Sequence, residues 1–194
     1  MIDLPLQLIL LSLPSFIFVF IRKLRGHDFR GSFREIGWRG CQYVNFLWGL
    51  GLMVITGGLG FLALQVVPTE ALQDPRVNVS SYSHLSLTLA SFIQIWLREA
   101  FYTALGEEIF FRGFLESFLE RKLGFAVGNL IQAFIFLLPH FLLLLVNINF
   151  WPLLIVQGIT GWLLGFLRSR SGSILPGWLA HSLANALSAL LVIA

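Results

Sequence analysis

The longest uncharged stretch of the chain decides its fold: residues 123–167 read LGFAVGNLIQAFIFLLPHFLLLLVNINFWPLLIVQGITGWLLGFL. A transmembrane helix needs about 20 apolar residues to cross the hydrocarbon core, so this stretch is too long for one crossing. The more polar segment 147–152 divides it into predicted spans over 124–146 and 152–167. The stretch therefore predicts two membrane-spanning helices.

The composition of the whole chain supports a membrane protein. Of its 194 residues, 57% are hydrophobic and only 12% are charged, whereas soluble domains have roughly 25% charged residues. This composition excludes a soluble domain and a disordered chain. It also excludes a secreted disulfide scaffold, because Cys41 has no second cysteine to pair with.

The remaining apolar runs extend the bundle. Further spans are predicted over 4–21, 43–67 and 174–193. In the second of these, five glycines are predicted close-packing positions: Gly49, Gly51, Gly57, Gly58 and Gly60. The stretch 85–120 is either one very long tilted helix or two pieces that meet near Gly106.

Basic residues between the spans alternate from rich to poor. There are six in 22–39, one in 68–84, two at 121–122, none in 147–152 and two in 168–170. By the positive-inside bias, this predicts about six net crossings, made by six to eight helices, with the N-terminus outside. The basic loops 22–39, 121–122 and 168–170 are then cytoplasmic. We expect one integral-membrane domain over 1–194, with two less diagnostic spans in 1–84 and the functional core in 85–194.

The basic segment 22–39 does not indicate nucleic-acid binding. It is short and has no recognisable nucleic-acid motif, so the positive-inside bias explains it better. Such a loop can also contact anionic lipid headgroups. The lipid bilayer is thus an expected partner, and nucleic acid is not.

Three charged residues fall within a predicted membrane span, in the sequence GEEIFFRG at 106–113. Each charge costs roughly 2.5–3.5 kcal/mol near the bilayer centre, so Glu107, Glu108 and Arg112 must face protein or a water-filled cavity. Glu108 and Arg112 are i,i+4 neighbours that can form an ion pair, for packing or for orientation. Glu107 is turned about 100° away from Glu108 on a helix and can point elsewhere.

Polar side chains in two other spans can join the same layer. His140 follows Pro139, which can loosen the helix around it, and His181 shares a helix face with Asn185 at i,i+4 spacing. At about 1.5 Å per residue from the cytoplasmic ends, these three residues and Glu107 are compatible with one polar layer. Nearby charged residues have other predicted roles: Arg98 and Glu99 stabilise an interfacial end or line a cavity, and Glu116 and Glu120 are structural.

Three motifs in this order resemble a known family. Glu107-Glu108 with Arg112 is similar to the EExxxR motif of the CPBP (Abi, CAAX-protease-like) intramembrane proteases. Phe136 with His140 resembles their FxxxH motif, and His181 with Asn185 their HxxxN/D motif. The resemblance covers roughly 85–194 and implies an all-α, polytopic helix bundle with a CAAX-protease-like core.

The resemblance implies a glutamate-dependent intramembrane endopeptidase. Its substrate would be a membrane-associated protein or peptide, with removal of the C-terminal tripeptide of prenylated CAAX proteins as the family's example. Glu107 would activate the attacking water and His140 would help to hold it, while His181 and Asn185 would stabilise the oxyanion. Glu108 and Arg112 would orient Glu107.

Members of this family are often labelled metalloproteases, so Glu107, His140 and His181 are alternative zinc ligands. The sequence has no HExxH pair, and we expect a metal-free reaction without a cofactor. The sequence is also compatible with two other classes of protein. One is a non-proteolytic immunity or scaffold protein that binds a partner at the same polar site, and the other is a small transporter or channel.

Overall fold

The structure is a computed structural model that describes residues 5–193, and these residues form helices and connecting turns without a β-strand. The first half contains α1 (Leu6–Leu24), α2 (Phe29–Glu35), α3 (Val44–Leu64), α4 (Thr69–Leu72) and a 3₁₀ turn (Asn78–Tyr82). The second half contains α5 (Leu89–Arg98), α6 (Leu105–Glu107), α7 (Ser117–Leu137), α8 (Leu142–Val146), α9 (Trp151–Ser171) and α10 (Leu175–Ile193).

The bundle places large apolar side chains on its surface and small polar ones in its interior, as expected of a membrane protein. Within residues 5–193, five helical stretches are long and apolar enough to cross a bilayer: Leu6–Leu24, Val44–Leu64, Leu89–Val146, Ile148–Ser171 and Leu175–Ile193. Large apolar side chains face outward, as Phe16 and Phe20 do on α1, while the small polar Ser12 and Ser15 of the same helix are buried. Apolar surfaces of this kind suit lipid, and small polar residues suit helix–helix contacts. The protein is an all-α, polytopic integral membrane bundle.

The stretch Leu89–Val146 contains a chain reversal at Gly124. This residue has φ 77° and ψ 166°, a conformation that glycine adopts readily because it has no Cβ. A Cβ on Gly128 would lie 2.8 Å from the backbone nitrogen of Glu120, although eight residues of straight helix span about 12 Å. The reversal divides this stretch into two arms, 89–123 and 125–146. Together with the other four apolar stretches, the two arms agree with the predicted six crossings.

The first arm is one continuous helix through Gly106, which resolves the two possibilities left open for 85–120. Two segments of it, Glu99–Ala104 and Glu108–Glu116, have the wider π-helical turn and flank α6. Such widened turns are frequent at functional sites. They present the adjacent carboxylates of Glu107 and Glu108 to the bundle interior, where both are buried.

Small residues bring the spans close together, but fewer of them than predicted. A Cβ on Gly49 would lie 2.9 Å from the carbonyl oxygen of Pro176 in α10, and one on Gly60 would contact Ser188. A Cβ on Gly51, Gly57 or Gly58 would have no neighbour within 4 Å. The predicted close-packing role is therefore wrong for these three glycines, since no other helix of residues 5–193 comes this close to them.

The three basic segments meet at one end of the bundle. Arg22 forms a 2.7 Å ion pair with Glu35, and Arg168 donates to the carbonyl oxygen of Glu35 over 3.1 Å. Ser169, beside Arg168, donates to the carboxylate of Glu120 over 2.7 Å. The opposite end is closed by an apolar cluster of Val67, Ala71, Leu72, Val77 and Phe150. The loops predicted to share one side of the membrane thus lie together.

Candidate active site

Glu107 lies at the end of α6, between the two π-helical segments, and is 8% exposed. Its Oε1 accepts a 2.7 Å hydrogen bond from the side-chain amide of Gln7 on α1. Its Oε2 lies 3.6 Å from Nε2 of His181 on α10. This carboxylate is therefore held from two sides by polar groups and forms no ion pair with an arginine or lysine among the described residues.

Glu108 lies deeper in the bundle and is fully buried. Its Oε1 forms a 3.1 Å ion pair with Nη1 of Arg112, as the i,i+4 spacing predicted. The same oxygen lies 3.0 Å from Nδ1 of His181. Because the guanidinium stabilises Glu108 as a carboxylate acceptor, Nδ1 of His181 carries the hydrogen of this contact. The ring is thereby fixed with Nε2 facing Glu107.

Phe136 connects the residues of this layer through its ring. The Arg112 guanidinium lies 4.3 Å from the ring centroid, a favourable cation–π distance. The ring centroids of His140 and His181 lie 4.8 Å and 6.1 Å away. The aromatic position of the FxxxH motif therefore packs against both histidines and the buried cation.

His140 lies in a 3₁₀ turn, Leu138–Phe141, that interrupts the second arm at Pro139. The proline therefore loosens the helix here, as predicted. Nδ1 of His140 donates to the carbonyl oxygen of Phe136 over 2.9 Å, since a carbonyl can only accept. In the neutral ring, Nε2 is then an acceptor.

Asn185 contacts a carboxylate other than the predicted pair. Its side-chain nitrogen donates to Oε2 of Glu99 over 3.2 Å. Glu99 is 2% exposed and lines a cavity, one of the two roles predicted for it. Glu116 is also fully buried, which fits the structural role predicted for it.

These side chains share the wall of one large cavity with a volume of about 950 Å³. Glu99, Glu107, His140, His181 and Asn185 line it together. Apolar side chains of α1, α8 and α9 line much of the remainder, among them Leu10, Leu143 and Leu153. The cavity places polar groups that can act on a peptide bond beside an apolar surface that can hold hydrocarbon.

The zinc alternative names Glu107, His140 and His181 as ligands. Among residues 5–193, no three His, Cys, Asp or Glu side chains form a group that could hold a metal ion. Nδ1 of His181 is engaged by Glu108 and Oε1 of Glu107 by Gln7, which leaves Nε2 of His181 and Oε2 of Glu107 facing each other. Glu107, His140 and His181 share a cavity wall without converging as a three-ligand site.

Sequence reasoning missed Gln7. The amide lies in the first span, which carries no motif, yet it contacts Glu107 directly. The sequence did indicate that Gln7 has a polar partner, because an amide within an apolar span needs one. The sequence did not indicate which partner, since that depends on how α1 packs against the first arm.

The fold is that of an all-α membrane protein with a buried acid–imidazole layer on the wall of a cavity. Residues 89–187 match the family described as Rce1-like, type II CAAX prenyl endopeptidase Rce1-like. The match covers more than half of the chain and includes all three motifs, so the chain belongs to this family. No curated protein and no solved structure matches the chain.

Proposed function

We propose that the protein is a glutamate-dependent intramembrane endopeptidase with Glu107 as its general base. The observation that carries the proposal is the placement of Oε2 of Glu107 on the cavity wall, 3.6 Å from Nε2 of His181. A water that enters the cavity and forms a hydrogen bond with this carboxylate can be deprotonated by it and directed at a carbonyl carbon. The family supports peptidase activity, and the base is our assignment.

The neighbouring residues have distinct proposed roles. His140 offers Nε2 as an acceptor and would help to hold the attacking water. Asn185 would donate to the oxyanion that develops on the carbonyl oxygen, where preorganised donors are most effective. His181 would donate to it through Nε2 in the doubly protonated ring, because its Nδ1 already donates to Glu108. The buried Glu108–Arg112 pair would hold the His181 ring in place, so that its Nε2 stays directed toward Glu107.

The proposed substrate is the C-terminal peptide of a membrane-associated protein, in CAAX-type processing. The family name includes a prenyl endopeptidase, and the apolar lining of the 950 Å³ cavity suits a hydrocarbon chain beside the peptide. We also propose that the end of the bundle that carries Arg22, Glu35 and Arg168 faces the cytoplasm, by the positive-inside bias.

The test is a comparison of the wild type with Glu107→Gln in proteoliposomes, with a farnesylated CAAX peptide as the probe. We expect Glu107→Gln to lower cleavage by roughly 10²–10⁴-fold, because general-base catalysis contributes about this much. The control is Glu70→Gln, an exposed acid in α4, which should cleave like the wild type. Full activity in a folded Glu107→Gln protein would end the proposal.

Comparative terminal proteomics of membranes from cells with the wild type or Glu107→Gln would identify the native peptide. The non-proteolytic alternative has no observation in its favour. It would gain one if a Glu107→Ala, His181→Ala double variant kept the full biological function.

A further inference from the structure

Glu99 is a second buried carboxylate in the cavity, and the proposed chemistry does not use it. It begins the first π-helical segment and is 2% exposed. Its Oε1 accepts from the hydroxyl of Tyr82 over 2.6 Å and from the amide of Asn78 over 2.7 Å. Its Oε2 accepts from the amide of Asn185 over 3.2 Å. All three donors are neutral, and they divide between the two oxygens.

We propose that Glu99 is a positioning residue that selects the orientation of the Asn185 amide. This proposal rests on the proposed role of Asn185 as an oxyanion donor. The nitrogen and oxygen of an amide are nearly the same size, so a carboxamide can occupy two orientations in one space. An ionised carboxylate only accepts hydrogen bonds, and therefore favours the orientation with the nitrogen toward Glu99.

The opposite orientation would place the carbonyl oxygen of Asn185 against Oε2 of Glu99. Two acceptors in contact repel each other, and a buried polar group without a partner loses its hydrogen-bond energy. The amide nitrogen carries two hydrogens, so one can donate to Oε2 of Glu99 while the second donates to an oxyanion in the cavity. The flip would put the carbonyl oxygen, which only accepts, in the place of this nitrogen. Glu99 thus determines whether Asn185 can serve an oxyanion.

The other oxygen of Glu99 has a separate function. Asn78 and Tyr82 both lie in the 3₁₀ turn Asn78–Tyr82, so their bonds to Oε1 anchor this turn against the first arm. This division supplies a matched control, because Tyr82→Phe removes one bond to Oε1 while Asn78 and the contact with Asn185 stay.

The main test is Glu99→Gln, which keeps the side-chain shape but supplies a group that both donates and accepts. With the farnesylated CAAX peptide in proteoliposomes, we expect kcat to fall by roughly tenfold with KM unchanged. In the presence of Asn185→Ala, Glu99→Gln should have no further effect on kcat. Tyr82→Phe should keep kcat within about twofold of the wild type, because a neutral hydrogen bond is lost away from Asn185.

A second readout does not depend on catalysis. In protein labelled with ¹⁵N-asparagine, the side-chain amide resonances of Asn185 are identified by their loss in Asn185→Ala. We expect Glu99→Gln to shift or broaden them and Tyr82→Phe to leave them nearly unchanged. Unchanged resonances in Glu99→Gln, or equal kcat losses with and without Asn185→Ala, would overturn the positioning role.

The two proposals fail separately. Full activity of Glu107→Gln would overturn the proposed function, while altered Asn185 resonances in Glu99→Gln would still support the positioning of the amide. Loss of activity in Glu107→Gln together with unaltered resonances in Glu99→Gln would leave the function standing and remove Glu99 from it.

Discussion

The side-chain amide of Gln7 donates to Oε1 of Glu107 over 2.7 Å. The first helix therefore contacts the proposed base directly, although it lies outside the matched residues 89–187. Gly106 permits this contact, because a Cβ at that position would lie 2.8 Å from the Cα of Leu8. The family core is thus completed by a helix that carries none of the family's motifs.

Gln7→Leu should lower kcat/KM on the farnesylated CAAX peptide by roughly tenfold, because a hydrogen bond to a charged acceptor is lost. Gln7→Glu should lower it further, since it places a second carboxylate against Glu107. The control is Gln65→Leu, which removes an exposed amide bonded to the carbonyl oxygen of Phe61. Wild-type kinetics in Gln7→Leu would show that the contact does not assist Glu107.

Gly106→Ala should destabilise the protein, because the new Cβ meets the backbone of Leu8, which cannot move as a side-chain end can. Overpacking of this kind costs about 1–3 kcal/mol, measurable as a lower midpoint of unfolding in detergent. Gly57→Ala is the matched control, since a Cβ there meets nothing within 4 Å. Equal midpoints for Gly106→Ala and the wild type would indicate that α1 does not pack this closely.

The sequence predicted the membrane class and the polar layer because charges are rare in the apolar runs. Glu108 and Arg112 were paired correctly from their spacing alone, since both lie on one helix. The loosening at Pro139 was also readable, because proline changes the backbone locally. The break near residue 123 was readable from the basic pair at 121–122, which separates two apolar runs.

Contacts between different helices were not predictable from the sequence. The pairing of Gln7 with Glu107, and of Asn185 with Glu99, depends on the rotation of each helix about its axis. The π-helical turns on both sides of α6 alter that rotation, and no residue pattern in 85–120 marked them. Gly51, Gly57 and Gly58 were assigned to interfaces for the same reason, since composition does not identify the face that packs.

Arg112→Met should be strongly destabilising, because it leaves the fully buried Glu108 without its cation. Breaking such a pair typically costs about 3–5 kcal/mol, whereas removing both charges costs much less. Glu108→Gln combined with Arg112→Met should therefore unfold at a higher denaturant concentration than Arg112→Met alone. The reference is Arg76→Gln in the exposed Asp74–Arg76 pair, where we expect no measurable change.

That experiment would contradict the buried-pair account if the double variant were less stable than the single one. Since Glu108 also holds Nδ1 of His181, the more stable double variant should still have little activity. The contribution of this pair to stability could then be distinguished from its contribution to catalysis.

Proteolysis should survive metal chelation. Glu107, His140 and His181 do not converge as a three-ligand group in the described part of the chain, and we expect the wild type to keep most of its cleavage rate after EDTA or 1,10-phenanthroline treatment and dialysis. Loss of activity that zinc restores, with other divalent ions as controls, would overturn the metal-free assignment.

The proposed orientation can be tested with the native cysteine. Cys41 is the only cysteine in the sequence and is partly exposed, at the bundle end that carries the basic segments. A membrane-impermeant maleimide should label it in inverted vesicles and not in intact cells, with Cys41→Ser as the blank.

In the Cys41→Ser background, Ser83→Cys, at an exposed position beyond the Asn78–Tyr82 turn, should show the opposite pattern. Labelling of Cys41 only from outside would show that the topology is inverted, because the helix crossings fix the two ends of the bundle relative to each other. Labelling of both cysteines from the same side would contradict the six-crossing bundle itself.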